Sequence, residues 1–108
     1  MKFKRSEGAT QNAVCEYLQL RGGSFFWRQN TMATWDAKRG CHRTMPKFSV
    51  NGVSDLILVK KGMIYCIEIK SPDGKQSPSQ KSFEENIVKN GGKYVLARGL
   101  DDVIKVGL

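Results

Sequence analysis

Two runs rich in β-branched and aliphatic residues, 55–60 and 63–70, stand either side of Lys61-Gly62, and nothing else in the chain constrains its fold as tightly. A two-residue connection ending in glycine has the spacing of a tight β-hairpin. In such a hairpin Lys60 faces Met63 and all facing pairs sum to 123, which sets Asp55 opposite Glu68. Glu68 and Lys70, two positions apart, share that face, while Ile67 and Ile69 point the other way into a core. A one-residue bulge at the turn would shift the pairing.

Like charges facing each other across a sheet are destabilising unless positive charge lies between them. Two carboxylates converging at a strand end suit a hard divalent cation, Mg²⁺ ahead of Zn²⁺. A lysine beside such an ion orients or, when neutral, deprotonates an attacking water, and its ammonium stabilises charge building on a phosphate. The competing reading is a solvated sheet face on which Glu68 and Lys70 are ordinary exposed residues. A Glu-x-Lys tripeptide alone favours that bland reading; Asp55 in register argues against it.

Charge points the same way. Eighteen Lys and Arg against ten Asp and Glu leave +8 on 108 residues, a length that predicts one domain over 1–108. Lysines used as solubilisers would account for this surplus. A polyanionic partner also accounts for it, nucleic acid before membrane, since no basic amphipathic helix is evident. The longest apolar stretches, 56–59 and 63–67, are too short to cross a bilayer, and Met-Lys-Phe-Lys-Arg opens no apolar signal core, so a cytoplasmic protein is expected. Cys15, Cys41 and Cys66 form no Cys-x-x-Cys and read as reduced thiols; Cys41-His42 is a poor zinc pair.

The remaining elements follow from period and punctuation. Residues 6–20 carry Ala9, Ala13, Val14, Tyr17 and Leu18 on a helical stripe, with Ser6 as N-cap, Glu7 in the first turn and Gly22-Gly23 as the stop. Residues 24–30 read as a strand. Residues 31–52 show no period and read as a loop, with Lys38, Arg39, Arg43 and Lys47 among Trp35, His42 and Phe48. After a loop at 71–77, Ser77-Pro78 starts a helix to Asn90 with Phe83, Ile87 and Val88 as its apolar side. A strand at 94–97 and a helical turn or two at 101–106 complete an α-β-β-β-α-β-α order. This is an α/β domain with a small mixed central sheet flanked by helices. Tyr17, Phe25 and Trp27 are expected in the core or between copies of the chain.

The runs Asn51-Gly-Val-Ser-Asp55-Leu-Ile57, Ile67-Glu-Ile-Lys70 and Ser77-Pro-Ser-Gln80 resemble the signature of the VRR-NUC family. These are the virus-type replication-repair nucleases of the PD-(D/E)xK superfamily, with a restriction-endonuclease-like core. The helix carrying Glu7 and Gln11, the strand end Arg28-Gln-Asn30 and the segment Gly91-Gly-Lys-Tyr94 also fit, so the resemblance covers nearly the whole chain. It implies a metal-dependent phosphodiesterase: Asp55, Glu68 and the Ile69 carbonyl as ligands of Mg²⁺ or a substituting Mn²⁺, and Lys70 as catalytic lysine. Gln80 would order the site and Glu7 would approach the metal from another side. Ser54 departs from the superfamily's proline, a change expected to be tolerated because proline there shapes backbone rather than binding metal.

Family members of this minimal length, from phage or bacteria, resemble dimeric enzymes that cut branched DNA such as four-way (Holliday) junctions in recombination, replication or repair. A pair of symmetric nicks needs two sites, and one chain supplies one, which implies a homodimer. Arg28, Lys38, Arg39, Arg43 and Lys47 would grip phosphates, with Trp35 or Phe48 wedged against unstacked bases, unless they merely solvate a loop. The alternatives are a catalytically silent nucleic-acid-binding module and a nuclease subunit that needs a partner.

Overall fold

The hairpin forms with the register its sequence predicts. Strands β4 (Leu56–Lys60) and β5 (Met63–Ile69) run antiparallel, Lys60 facing Met63 and Leu56 facing Ile67, with no bulge. Lys61 and Gly62 both take positive φ, 50° and 81°, as the turn type matching the strands' right-handed twist requires. The computed structural model describes residues 6–29, 35–36, 41–42 and 46–108, so Lys38, Arg39 and Arg43 lie outside the described residues.

Strand β1 (Phe25–Arg28) pairs antiparallel with β4, and β6 (Lys93–Ala97) pairs parallel with β5, giving a mixed four-stranded sheet in the order β1-β4-β5-β6. A parallel pair needs a crossover, and α2 (Pro78–Lys89) supplies it. One face of the sheet is the core. There Leu56, Leu58, Ile67, Ile69, Val95 and Ala97 pack against Val14 and Leu18 of α1 (Glu7–Arg21) and Val103 of α3 (Leu100–Lys105). Leu108 closes this layer, its carbonyl oxygen accepting from the Tyr17 hydroxyl and Arg21 Nε. No helix among the described residues is long and apolar enough to cross a membrane.

Three expectations need correction. The buried stripe of α1 is Thr10, Gln11, Val14 and Leu18, and Ala9 is exposed. Val14 and Leu18 are the α1 side chains buried in the apolar core, and an alanine has too little surface to compete with them. Residues 31–52 are not wholly loop, because β2 (Trp35–Asp36) pairs antiparallel with β3 (Cys41–His42), adding two short strands to the expected order. Strands of two residues carry no readable alternation. Val88 is exposed, since the next position after Ile87 turns about 100° away from the sheet. Of the two places expected for Phe25 and Trp27, the core is excluded: both lie on the opposite face with Ile57 and Val59.

One glycine fixes how the segment before β4 meets α2. Gly52 has φ +77°, and a Cβ there would overlap the Ser79 carbonyl and crowd the Gln80 nitrogen. Backbone therefore lies directly on the first turn of α2. Gly62, with φ +81°, has open space around it. Gly62→Ala is expected to cost about 1–2 kcal/mol, the left-handed strain alone. Gly52→Ala is expected to lose about 1–3 kcal/mol more through overpacking. Urea unfolding of both variants checks this; equal losses would mean that the close approach is absent.

Candidate functional site

The site grows from the place where β4 runs out. Gln29 N donates to the Asp55 carbonyl at 2.7 Å, carrying the β1–β4 pairing one step past the strand. Asp55 Oδ2 accepts from the Ile69 amide at 2.7 Å, where the ladder would otherwise offer a backbone oxygen. Lys70 N donates to Ala97 O at 2.9 Å on the β6 side. Strand residues alternate between flanking partners, so the Ile69 carbonyl leaves on the same side as its amide, toward Asp55.

Glu68 lies on the face away from the core and is 2% exposed. Its Oε2 accepts from Gln80 Nε2 at 3.3 Å and stands 3.9 Å from Lys70 Nζ. Its Oε1 is buried without a hydrogen-bond partner. Burial, then the negative charge of Asp55, push the Glu68 carboxyl from 4.5 up to about 8; Lys70 pulls the other way and Glu7 adds to the rise. The structure thus brings Asp55, Glu68, Lys70 and Gln80 together.

Gln80 has two tasks. Its Oε1 accepts from Ser77 N at 2.8 Å while the Ser77 hydroxyl accepts from Gln80 N, a capping box at the start of α2. With Oε1 held by the cap, Nε2 is directed at Glu68. Glu7 begins α1 and its Oε1 accepts from Ser71 N at 3.0 Å, beside Lys70. Among the described residues no group of three or more His, Cys, Asp or Glu side chains gathers as a metal cluster. Arg28 Nη2 donates to Asn12 Oδ1 at 3.0 Å, and Lys47 is exposed in a turn.

Sequence reasoning missed the residues that hold the chain beyond Lys70. Arg98 Nη1 faces three carbonyl oxygens, of Ser71, Pro72 and Gly74, at 2.7, 3.2 and 2.7 Å. Gln76 Nε2 donates to Glu84 Oε1 at 2.9 Å and to the Tyr94 hydroxyl at 3.2 Å. Burial pushes that hydroxyl up to about 12, so it stays protonated. Nothing local in the sequence around Arg98 signals this. Gln29, quoted only within the strand end Arg28-Gln-Asn30, was given no role, although alternation past Trp27 places it on the face of the acid pair. Ser54 is fully buried and donates its hydroxyl to the Leu56 carbonyl at 3.0 Å.

No protein-family profile matches this sequence, and no curated protein matches it. A solved structure titled "VRR_NUC domain" superposes with a TM-score of 0.65 over 93% of this chain and 91% of that chain, at 20% sequence identity. The chain has the VRR_NUC fold. That likeness bears out the α/β architecture and the resemblance at the level of fold; the chemistry has to be argued from the side chains.

The Glu68 shift makes a prediction about stability in chelator. Unfolded, Glu68 ionises near 4.5; folded, it keeps its proton until about 8. The folded state therefore binds the extra proton across that window, and this contribution to stability, present in full below 4.5, is lost as pH rises to about 8. Glu68→Gln is expected to flatten the decline in urea unfolding free energy between pH 5 and 8 in EDTA. Parallel slopes for the two proteins would show that Glu68 is not held up.

Proposed function

We propose that this chain is a divalent-metal-dependent endonuclease that hydrolyses phosphodiester bonds in DNA. The observation that carries the reading is the orphaned, buried Glu68 Oε1 beside the Asp55 carboxylate, within reach of Lys70. A buried acceptor without a donor, next to a second carboxylate, is costly unless a cation satisfies both. Oxygen donors of this kind fit Mg²⁺, with Mn²⁺ as a substitute. Asp55, Glu68 and the Ile69 carbonyl would hold the ion, with Glu7 at the edge. Bound there, it would supply Lewis acidity toward the phosphate and lower the pKa of a water.

The chain's own residues do the rest. Lys70, with a side chain 14% exposed, presents a fixed ammonium to the attacking water and to charge growing on the phosphate oxygens. Gln80 keeps Glu68 from turning away, and Arg98 keeps the backbone after Lys70 in place. Preorganised charge of this sort needs no rearrangement as the reaction proceeds. The +8 balance suits a polyanionic substrate, with Arg28, Lys38, Arg39, Arg43 and Lys47 as phosphate contacts. We assign branched DNA, four-way junctions first, cut by a homodimer that matches the junction's twofold symmetry. A second reading is favoured by the absence of a three-ligand cluster among the described residues: a binding module without activity, or a subunit whose site a partner completes.

Cleavage of a labelled four-way junction, a flap and a plain duplex, in Mg²⁺ and then in EDTA, separates these readings. Activity is expected in Mg²⁺ alone. Asp55→Ala, Glu68→Ala and Lys70→Ala are each expected to lower the rate by at least about a hundredfold. Junction affinity measured in Ca²⁺ is expected to change only a few-fold for Lys70→Ala. Near wild-type cleavage by Lys70→Ala would sink the mechanism, and metal-dependent cleavage by none of the substrates would leave the binding module.

A further inference from the structure

The sheet face that carries the acid pair continues onto β1. Trp27 faces Ile57, which in turn faces Cys66. One step along, Gln29 faces Asp55, joined by the 2.7 Å backbone bond, with Glu68 on the far side. Trp27 and Gln29 are tied by their side chains, indole Nε1 donating to Gln29 Oε1 at 2.8 Å. Phe25 lies beside Trp27, ring centroids 5.5 Å apart and tilted by 45°. The two rings are 69% and 40% exposed, respectively.

We propose that Trp27, held by Gln29 and backed by Phe25, is a stacking site for an unpaired base of the DNA strand that enters the acid pair; the inference rests on the nuclease reading. With its N–H spent on Gln29, the indole has only its π-face to offer, and every base has a π-face to match. Two residues along a strand span about 7 Å and the two strand spacings from β1 to β5 add about 10 Å across, so Trp27 lies roughly 12 Å from Glu68. At the 3.4 Å rise of a stacked nucleotide, a base on Trp27 therefore belongs about three to four nucleotides from the phosphate at Glu68. The Gln29 amide nitrogen remains a donor for an intervening phosphate. A +8 chain suits a polyanion as the occupant. A second copy of the chain fits less well: the two rings expose roughly 250 Å², against the roughly 800 Å² each partner of a stable dimer buries. Bases inside an intact duplex cannot reach the indole, so the site selects DNA with unpaired nucleotides near the cut, as at branch points and frayed ends.

The test is tryptophan emission of the full chain in Ca²⁺. Trp35→Phe leaves Trp27 as the sole indole of the two in the sequence. A twelve-nucleotide oligo(dT) is expected to quench that emission, and a fully paired duplex of equal length is not. Trp27→Ala is expected to weaken oligo(dT) binding by about five- to a hundredfold, with duplex binding changed less than twofold. Gln29→Ala, which releases the indole without removing it, is expected to weaken oligo(dT) binding by a smaller factor. It keeps the test open if Trp27→Ala fails to fold. Unchanged emission at saturating oligo(dT), equal losses for both DNA forms, or an emission shift that follows protein concentration without DNA would each overturn the proposal. Failure of metal-dependent cleavage alongside intact quenching would instead overturn the nuclease reading alone.

Discussion

The bond from the Ile69 amide to the Asp55 carboxylate is the contact on which the site depends. It occupies the place of a ladder bond one residue before β4 begins, so an acidic side chain does the work of backbone. Asp55 is thereby pinned to the strand that carries Glu68 and Lys70. Two carboxyl groups are then forced together in a place from which water is largely removed. Glu68, with one oxygen unsatisfied and its proton retained to about 8, records the cost. Marginally stable small domains carry such strain only where the surrounding framework over-determines it.

That framework is economical. The Gln80 amide caps α2 with one atom and holds Glu68 with the other. The start of a helix and the orientation of a carboxylate are thus one hydrogen-bonded unit. Behind Lys70, Arg98 gathers three carbonyls and Glu7 takes the Ser71 amide, so the chain leaves the site along a fixed path. Polar networks of this kind are worth having only when nearly complete. The exception in this one is Glu68 Oε1, the atom on which the functional reading turns.

Much of this was legible before any coordinates. A two-residue turn without a bulge allows one register, so one line of arithmetic set Asp55 against Glu68 and put Ile67 and Ile69 in the core. Ser77-Pro78 marked the start of α2 because the cap and the fixed proline φ are local effects. What stayed hidden was either too short or too distant. β2 and β3 have two residues each and no period. Arg98 acts on residues 24–27 positions away, and no spacing rule connects them. Thr10 and Gln11 are polar, so a stripe read from apolar residues passed over them. Trp27 was placed by its hydrophobicity, whereas its edge strand leaves it 40% exposed.

Cys66 lies on the same face as Glu68, two residues before it, and is fully buried. Burial pushes its thiol up, only partly offset by a hydrogen bond with Ser54, so the reactive thiolate is suppressed while the sheet is closed. An alkylating reagent therefore reaches this sulfur only when the floor beneath the acid pair opens. The protein carries its own chemical clock for local breathing of that floor, readable by mass at a single atom.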